Sequence, residues 1–497
     1  MLLVGVAVVL QLTTVALLSV FLRQNYLYLF LIFELLAIIE VISIISKNQS
    51  SAFSTSWIVI ILVSPVFGYL LYLLWGKTRA RYRRSWNIKQ SGMKKLTTYH
   101  NDKSARNTVF TAHPRSQRII RYLENEGFPL YQHASCKYFD SGELLFEEML
   151  KDIRDAKSFI FISYFIIQQG KLWSSFFDIL KEKVAAGVEI RVMFDDLGSI
   201  MTVSRDFITE LKKYGIDAVA FNPVHKFLSR PYLNYRNHQK IVVIDGTIGY
   251  TGGVNLADEY ANLYPRFGHW KDTGIRLQGD AVFSLCMIFL QMWKTQSGVS
   301  EDYEKYRPQS VVRGDGFYQP FSDGPVTIPH NPAEGVYHQI IGNANKYVYI
   351  MTPYLVIEET MVRELCSAAH SGVDVRIITP KNYDKWYVHK VTQSNYKRLL
   401  AAGVRIYEYT PGYIHAKTIL SDDEVAVIGT INMDYRSFYL HFENAVLLCG
   451  VPAIGDIKKD MLKTFSLSEE MSLDYWQKRP LKERALQAVL RLLGPLL

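Results

Sequence analysis

The sequence contains little cysteine, and its cysteines are scattered. Its 497 residues include four cysteines, and no two of them form a C-x-x-C pair; they are Cys136, Cys286, Cys366 and Cys449. This spacing favours neither a disulfide framework nor a thiolate metal site. We therefore expect a reduced, cytosol-facing catalytic part, with no metal centre built from cysteine.

Charge is nearly absent from the first 76 residues, although the whole chain carries a formal net charge of +9. The region contains three apolar stretches, Leu2–Leu22, Tyr26–Ser46 and Trp57–Gly76. Each has about the 20 residues that a helix needs to cross the hydrocarbon layer. Only the second stretch contains acidic residues, Glu34 and Glu40. We predict that residues 1–76 form a transmembrane segment of two or three helices.

The third apolar stretch is followed at once by basic residues, which are Lys77, Arg79, Arg81, Arg83 and Arg84. Positive charge beside a membrane helix favours the cytoplasmic side, so we expect everything after residue 77 to be cytoplasmic. Three crossings place the N-terminus outside. If Glu34 and Glu40 make the second stretch re-entrant, two crossings place it inside. A cleaved signal peptide is disfavoured because the chain has neither a basic start nor a small-residue cleavage site.

Two regions flank the catalytic part. Residues 77–130 are basic and polar, which predicts a juxtamembrane linker that either attracts anionic headgroups or is simply solvated. Residues 471–497 form a tail whose leucines alternate with Lys482, Arg484 and Arg491. This amphipathic tail is expected either to lie on the membrane surface or to pack on the second lobe.

Between the flanks, one helix and strand pattern occurs twice. In the first copy, helical spacing at 143–154 and 172–186 alternates with apolar strands at 158–167 and 187–194. The second copy repeats this order, with helices at 336–344 and 361–370 and strands at 347–355 and 372–379. Such alternation indicates a duplicated α/β fold. The glycines and prolines between Glu301 and Pro332 separate a first lobe, 131–305, from a second, 306–470.

One residue pattern accompanies this duplication. The first copy consists of His238, Lys240, Asp245, Gly252 and Asn255. The same residue types recur 177 positions later as His415, Lys417, Asp422, Gly429 and Asn432. A matched repeat of this kind predicts two halves of one active site.

The paired residues suit phosphoryl transfer. On an extended strand, His238 and Lys240 would point to the same side. Lysines and asparagines from both copies would form a cationic, donor-rich cradle for a phosphate group. One histidine can attack phosphorus while the other transfers protons, and Asp272 and Glu443 are candidate partners that fix their tautomers. No cofactor or metal is expected, because the lysines supply positive charge and each H-x-K offers one good ligand.

The segments HQKIVVID and HAKTILSD match the H-x-K-x-x-x-x-D pattern of the phospholipase D superfamily, and the chain resembles bacterial cardiolipin synthases. The resemblance implies two tandem phospholipase D-like lobes, each with a mixed-sheet α/β sandwich fold. It also implies an enzyme that converts two phosphatidylglycerol molecules into cardiolipin and glycerol. It implies that His238 is the nucleophile and His415 the acid and base. Lysines and asparagines would contact phosphate, with Gly252 and Gly429 behind them, whereas Asp245 and Asp422 would support the motif.

Other functions remain open at this point. The same chemistry serves hydrolysis or transfer to another alcohol, and the basic charge would also suit a nuclease of the superfamily. The apolar N-terminus argues for membrane phospholipids as partners, rather than nucleic acid. A scaffold without activity is disfavoured, because both motifs are intact. The sequence thus predicts a multi-pass enzyme of the bacterial plasma membrane.

Overall fold

The computed structural model describes residues 24–46, 51–76, 96–98, 102–226, 234–299, 302–308, 312–325 and 330–496, with residues 13 and 100. Apart from residue 13, the predicted membrane stretch Leu2–Leu22 lies outside the described residues, as does the basic run 77–95.

The N-terminal part is a helical hairpin formed by α1 (Gln24–Ile45), α2 (Ser51–Val63) and α3 (Pro65–Leu71). The third predicted stretch is interrupted between α2 and α3, where a proline opens the new helix because it donates no hydrogen bond. The helices share a small core that includes Ala37, Ile44, Trp57, Ile60 and Ile61. Across the described part of the chain, no helix combines the length and apolarity that a membrane crossing requires. The transmembrane segment therefore stays a prediction.

The region predicted as a linker contains two further helices, α4 (Lys103–Ala112) and α5 (Gln117–Asn125). Their apolar side chains recur with helical spacing and join the core of the second lobe; they are Ala105, Val109, Ile119, Ile120 and Leu123. From residue 103 onward this segment is thus packed against a lobe rather than solvated. Residues 77–95 of the predicted linker lie outside the described residues, so their connecting role stays a prediction.

The first lobe is built on a seven-stranded sheet with the order β1-β8-β6-β5-β2-β3-β4. The strands of this lobe are β1 (Ala134–Phe139), β2 (Phe159–Tyr164), β3 (Glu189–Asp195), β4 (Asp217–Phe221), β5 (Ile241–Ile244), β6 (Ile248–Gly252), β7 (His269–Lys271) and β8 (Gly274–Gly279). Its helices are α6 (Gly142–Asp155), α7 (Lys171–Ala185), α8 (Asp196–Ser199), α9 (Phe207–Lys213) and α10 (Val282–Ser297).

The second lobe is built on an eight-stranded sheet with the order β19-β13-β12-β10-β15-β16-β18-β9. The strands are β9 (Phe317–Asp323), β10 (Tyr347–Met351), β11 (Leu355–Val356), β12 (Asp374–Pro380), β13 (Arg405–Tyr409), β14 (Gly412–Ile414), β15 (Thr418–Ser421), β16 (Val425–Gly429), β17 (Met433–Asp434), β18 (Glu443–Cys449) and β19 (Ser468–Glu470). The helices are α11 (Pro332–Asn343), α12 (Glu359–His370), α13 (Trp386–Ser394), α14 (Tyr396–Ala401), α15 (Tyr435–Tyr439), α16 (Ala453–Ser466), α17 (Leu473–Gln477) and α18 (Leu481–Leu492).

The two sheets share one topology, which confirms the predicted duplicated α/β fold. In the first sheet, the antiparallel strands β1-β8-β6-β5 adjoin the parallel strands β2-β3-β4. In the second, the antiparallel strands β9-β18-β16-β15 adjoin the parallel strands β10-β12-β13, and β19 adds an eighth strand at the edge. The short strands β7 and β14 pair in parallel and join the lobes. The cleft between the lobes therefore lies beside both central strands.

The C-terminal tail packs on the second lobe, whereas its predicted contact with the membrane surface stays a prediction. Helix α18 packs against the second lobe and the N-terminal hairpin, and Leu490 is fully buried there. Its other side exposes Leu481, Leu486 and Val489 to the surroundings. The tail thus packs through one face and leaves an apolar face uncovered.

Candidate active site

Both H-x-K segments lie just before a central strand rather than within it, which corrects the strand placement expected from sequence. Residues 238–240 precede β5, and residues 415–417 precede β15. The backbone pairs across the cleft: the His238 amide donates to the Phe442 carbonyl at 2.9 Å, and the His415 amide donates to the Lys271 carbonyl at 2.7 Å. Each histidine is therefore positioned by the backbone of the opposite lobe.

The carboxylate partners of the histidines are exchanged between lobes. His238 Nδ1 lies 2.9 Å from both carboxylate oxygens of Glu443, which opens β18 of the second lobe. His415 Nδ1 lies 2.8 Å from Asp272 Oδ2, in the first lobe. All four side chains are buried. A carboxylate that accepts from Nδ1 leaves the lone pair of Nε2 available for chemistry.

Buried contacts hold the carboxylates and the first histidine segment in place. The Thr430 hydroxyl donates to Glu443, and the Thr273 amide donates to Asp272 at 2.9 Å. The Asn237 amide donates to the buried Asp195 carboxylate at 2.9 Å. These contacts fix the orientation of the histidine rings before a substrate arrives.

The lysines lie against the histidines of their own lobes. Lys240 Nζ donates to the His238 carbonyl at 2.7 Å, and Lys417 Nζ lies 2.7 Å from His415 Nδ1. Both lysines are almost fully buried, with 2% and 1% of their surfaces exposed. Buried ammonium groups without full compensation attract an anionic ligand strongly.

Burial and like charge shift the protonation of the cationic groups. Burial lowers the pKa of Lys240 to about 7 and the pKa of Lys417 to about 8. Burial, followed by the charge of Lys417, lowers the pKa of His415 to about 4. The pKa of His238 is also held well below its usual value, by burial first and then by Lys240. Each histidine also feels the lysine of the other lobe, so the two halves form one electrostatic unit.

Glu443 shows the opposite shift for the same reason. Burial raises the pKa of Glu443, whereas nearby Lys240 and the hydrogen bond from Thr430 oppose this rise and favour the carboxylate that accepts from His238 Nδ1. Burial thus disfavours a charged imidazolium–carboxylate pair, and His238 stays neutral near pH 7. A neutral imidazole is the nucleophilic form of histidine.

The two asparagines differ in whether their side chains already have hydrogen-bond partners. Asn255 is engaged, because its Oδ1 accepts from the Ile166 amide at 3.1 Å and its Nδ2 donates to the Tyr260 hydroxyl at 2.7 Å. The Oδ1 of Asn432 is buried and has no hydrogen-bond partner among the described residues. Asn432 Oδ1 is therefore the better placed of the two side chains to accept a hydrogen bond from a substrate hydroxyl.

Glycine is required at both repeated positions because another backbone approaches closely. A Cβ at Gly252 would overlap the Thr273 carbonyl, and one at Gly429 would overlap the Asn444 carbonyl. A Cβ on the following residue, Gly253, would overlap the Asp272 carboxylate. The glycines thus let the strands that carry the carboxylates lie against the motif strands.

Asp245 and Asp422 lie at the far end of their strands, away from the histidines. Asp245 accepts from three backbone amides at the start of β2, those of residues 157, 158 and 159, at 2.7–2.9 Å. Asp422 accepts from residues 345, 346 and 347 at 2.8–2.9 Å. Both aspartates adopt positive φ, 50° and 56°. They support the turn that follows each motif strand, as the resemblance implies, and they lie too far from the histidines to be catalytic residues.

Asp245→Ala is expected to lower stability rather than remove activity, because three backbone amides lose their acceptor. The expected loss in free energy of unfolding is about 2–4 kcal/mol. Thermal unfolding measures it, with Asp474→Ala on the surface as the control. Loss of activity at low temperature in a folded Asp245→Ala protein would contradict this role.

The site includes residues that sequence reasoning did not select. His441 was assigned no role, yet its ring centroid lies 5.5 Å from that of His238, and its Nδ1 is buried without a hydrogen-bond partner among the described residues. Phe165 packs edge-on against His238 at 5.0 Å, and Tyr260 and Trp270 flank His415 at 5.3 and 5.5 Å. In the sequence, only the closeness of His441 to Glu443 in the H-F-E segment could have indicated that His441 belongs to the site.

His238, His441 and Glu443 place potential metal ligands within 4.8 Å of one another. Burial first, and then nearby positive charge that includes Lys240, lowers the pKa of both histidines. A divalent cation would have to overcome this positive charge, and it would take up the lone pair of His238.

Chelation is therefore expected to leave the activity of the purified protein unchanged. The measurement compares product formation before and after dialysis against EDTA, with a known metalloenzyme dialysed in parallel as the positive control. Loss of activity that added metal restores would contradict the metal-free site.

Comparison with known proteins agrees with this geometry. A family model described as "Cardiolipin synthase, PLD-like domain" matches residues 149–263 and 337–465, and one described as "Phospholipase_D-nuclease N-terminal" matches residues 35–77. Cardiolipin synthase 2 of Bacillus cereus is 33% identical over 458 residues, which cover 91% of this chain and 88% of that protein. Cardiolipin synthase of Geobacillus kaustophilus is 32% identical over 500 residues, 99% of each chain.

Similarity to a solved structure concerns the fold alone. The crystal structure of phosphatidylserine synthase from Haemophilus influenzae superposes with a TM-score of 0.58 at 15% identity, covering 77% of this chain and all of that one. The sequence relatives extend over nearly the whole chain and carry the family assignment. The chain therefore belongs to the cardiolipin synthase family of the phospholipase D superfamily, and it is a phosphatidyltransferase of the phospholipase D type.

Proposed function

We propose that this enzyme transfers a phosphatidyl group from one phosphatidylglycerol to another, giving cardiolipin and glycerol. The observation that carries the proposal is the exchange of carboxylates, in which Glu443 holds His238 and Asp272 holds His415. Two oriented histidines that face the same cationic cleft provide a nucleophile and a separate proton carrier.

In the first step, Nε2 of His238 attacks phosphorus and the bond from phosphorus to the glycerol headgroup oxygen breaks. His415 protonates that oxygen, so that glycerol leaves as a neutral alcohol. Lys240 and Lys417 hold the non-bridging oxygens, where charge accumulates in the transition state. The negative phosphodiester offsets the repulsion among the cations, which raises the pKa of His415 and lets it carry the proton.

In the second step, the glycerol hydroxyl of another phosphatidylglycerol enters the space that the leaving glycerol occupied. His415 removes its proton, the new oxygen–phosphorus bond forms, and the bond from phosphorus to His238 breaks. Acid in the first step and base in the second is the sequence that microscopic reversibility requires of one residue. The enzyme regains its starting protonation state.

Lipid access is supported by apolar side chains beside the cleft. Exposed apolar and aromatic residues lie on both lobes: Leu263 and Tyr264 on the first, and Tyr383 and Trp386 on the second. The two loops approach each other, since the side-chain amide of Asn382 donates to the carbonyl of residue 267 at 3.4 Å. An apolar rim of this kind suits contact with acyl chains and the membrane interface.

We place the enzyme in the bacterial plasma membrane, crossing it two or three times, with the lobes on the cytoplasmic side. The basic residues that follow Gly76 support this orientation. The exposed side of α1 is apolar along its length, at Leu31, Leu35, Ile38 and Ile42. A lipid environment would cover that face.

The reaction is tested with purified protein and phosphatidylglycerol as the sole lipid. Cardiolipin and glycerol are expected in equal amounts, and His370→Ala, at an exposed histidine, serves as the control for substitution itself. Phosphatidic acid as the main product would identify hydrolysis instead. Cleavage of plasmid DNA without lipid products would identify a nuclease.

The pH profile is expected to fall on its alkaline side. His415 acts as the acid in its charged form, and its pKa of about 4 means that kcat/KM already declines above that pH. The lysines bind phosphate in their charged form, so their pKa values of about 7 and about 8 steepen the decline further. His238 stays neutral and nucleophilic well below pH 6.5, so the acid limb lies lower. We expect kcat/KM to fall about tenfold or more between about pH 7 and about pH 9. A profile that stays flat to about pH 10 would contradict the lysine assignment.

A further inference from the structure

A second basic cavity lies away from the catalytic cleft, where three parts of the chain meet. It has a volume of about 520 Å³ and is bounded by the start of α2, by α13 and α14 of the second lobe, and by α18. The Ser56 hydroxyl donates to the carbonyl of Leu492 at 2.6 Å and joins the hairpin to the tail there. None of the described residues that line this cavity belongs to the paired H-x-K site.

The cavity is strongly cationic. Of the described residues that line it, none is acidic and four are basic: Lys397, Arg479, Arg484 and Arg491. Arg491 is partly compensated by Glu359 at 3.8 Å. Lys397 and Arg484 are exposed, and neither forms an ion pair with an acidic side chain of the described residues. This excess of positive charge favours an anion.

The base of the cavity is fixed by buried contacts. Arg479 stacks over the Trp476 ring at 3.9 Å and donates to the Gln487 Oε1 at 2.7 Å. Gln487 is 97% buried, and its Nε2 has no hydrogen-bond partner among the described residues. A buried amide donor without a partner is costly unless a ligand or water satisfies it. It therefore points to an acceptor in the cavity.

The first described turns of α2 also line the cavity, at Ser51, Ala52 and Thr55. The first amides of a helix have no partner within the helix, and the helix dipole there favours negative charge. Helix α2 has 13 residues, long enough for this effect.

We propose that this cavity binds a phosphate group, which an anionic phospholipid supplies through its headgroup. Free phosphate shares this chemistry, but the surroundings favour the lipid. Helix α18 exposes Leu481, Leu486 and Val489 beside the basic residues, and α2 exposes Leu62 and Val63 at its far end. Basic residues next to apolar helix faces match a headgroup and the acyl chains attached to it.

The test measures lipid retention by native mass spectrometry in the full-length protein. All samples carry His238→Ala, so that bound phosphatidylglycerol is not converted. The test variant adds Lys397→Gln and Arg484→Gln. The control adds Lys478→Gln and Lys482→Gln, which remove the same charge from exposed residues outside the cavity.

Both proteins keep the phosphatidylglycerol that the catalytic cleft holds, but the control is expected to bind one further lipid, and the occupancy of that further lipid should be about tenfold lower in the test variant at the same lipid concentration. Its thermal transition should match that of the control, because both substituted side chains are exposed. Equal retention in the two proteins would overturn the site. Equal retention of phosphatidylcholine and phosphatidylglycerol would overturn the preference for an anionic lipid.

A parallel arm separates the two sources of phosphate. Millimolar inorganic phosphate alone is expected to stabilise the protein less than phosphatidylglycerol does. If phosphate alone gives the full stabilisation, and the test variant removes it, the lipid source is overturned and the ligand is a small phosphate. Gln487→Leu, which keeps the charge, is expected to weaken retention because it removes the buried donor.

Discussion

Replacing His238 with alanine is expected to reduce cardiolipin formation by at least about 10⁴-fold, because the phosphorus loses its nucleophile. The protein should stay folded, since the backbone amide of residue 238 still donates to the Phe442 carbonyl. The assay measures initial rates with phosphatidylglycerol, and His370→Ala is the matched control. A folded His238→Ala protein with normal turnover would contradict the nucleophile assignment.

The activity of the His415→Ala protein should depend on the leaving group of the substrate. With phosphatidylglycerol it should be as inactive as His238→Ala, because the leaving glycerol needs a proton. With a phosphodiester that carries an activated phenol, the first step no longer needs the acid, so His415→Ala should release about one equivalent of phenol in a burst. The covalent intermediate then persists, because no base activates the acceptor.

The second large effect is expected from the exchanged carboxylates. Glu443→Gln should slow the reaction by about 10²–10⁴-fold through His238, which belongs to the other lobe. An amide can donate to Nδ1 and favour the wrong tautomer, which removes the lone pair from Nε2. Asp272→Asn should produce a loss of similar size through His415.

A substrate with a better leaving group distinguishes the roles of these two carboxylates. An activated phenol should rescue the first step in Asp272→Asn but leave Glu443→Gln slow, because only Glu443 serves the nucleophile. Combining Glu443→Gln with His238→Ala should cost little more than His238→Ala alone, since the residues act as a unit. Rescue of Glu443→Gln by the activated substrate would show that the pairs had been assigned to the wrong steps.

Much of the fold is predictable because it depends on local periodicity. The apolar run at 158–167 and the helical spacing at 143–154 correspond to β2 and α6 within a few residues. The constant 177-residue offset between the motifs reflects a duplicated set of seven strands that both sheets share. Helices α4 and α5 were missed because they are short and their basic residues conceal an apolar face that only the second lobe buries.

The sequence predicts which residues belong to the site, but not which of them contact one another. The repeat identifies His238 and His415, and Asp272 and Glu443 follow as candidate carboxylates. Which carboxylate holds which histidine depends on how the lobes pack, and that information is spread over long-range contacts such as the pairing of β7 with β14. The engagement of Asn255 by Tyr260 and the position of His441 depend on the same packing.

The most direct measurement of the central claim is the site of the covalent intermediate. His415→Ala is incubated with the activated phosphodiester, quenched at alkaline pH, where phosphohistidine survives, and mapped by peptide mass spectrometry. The phosphatidyl group is predicted on His238, and His238→Ala/His415→Ala should carry none. Modification of another residue, or a burst of phenol without any covalent adduct, would contradict the mechanism.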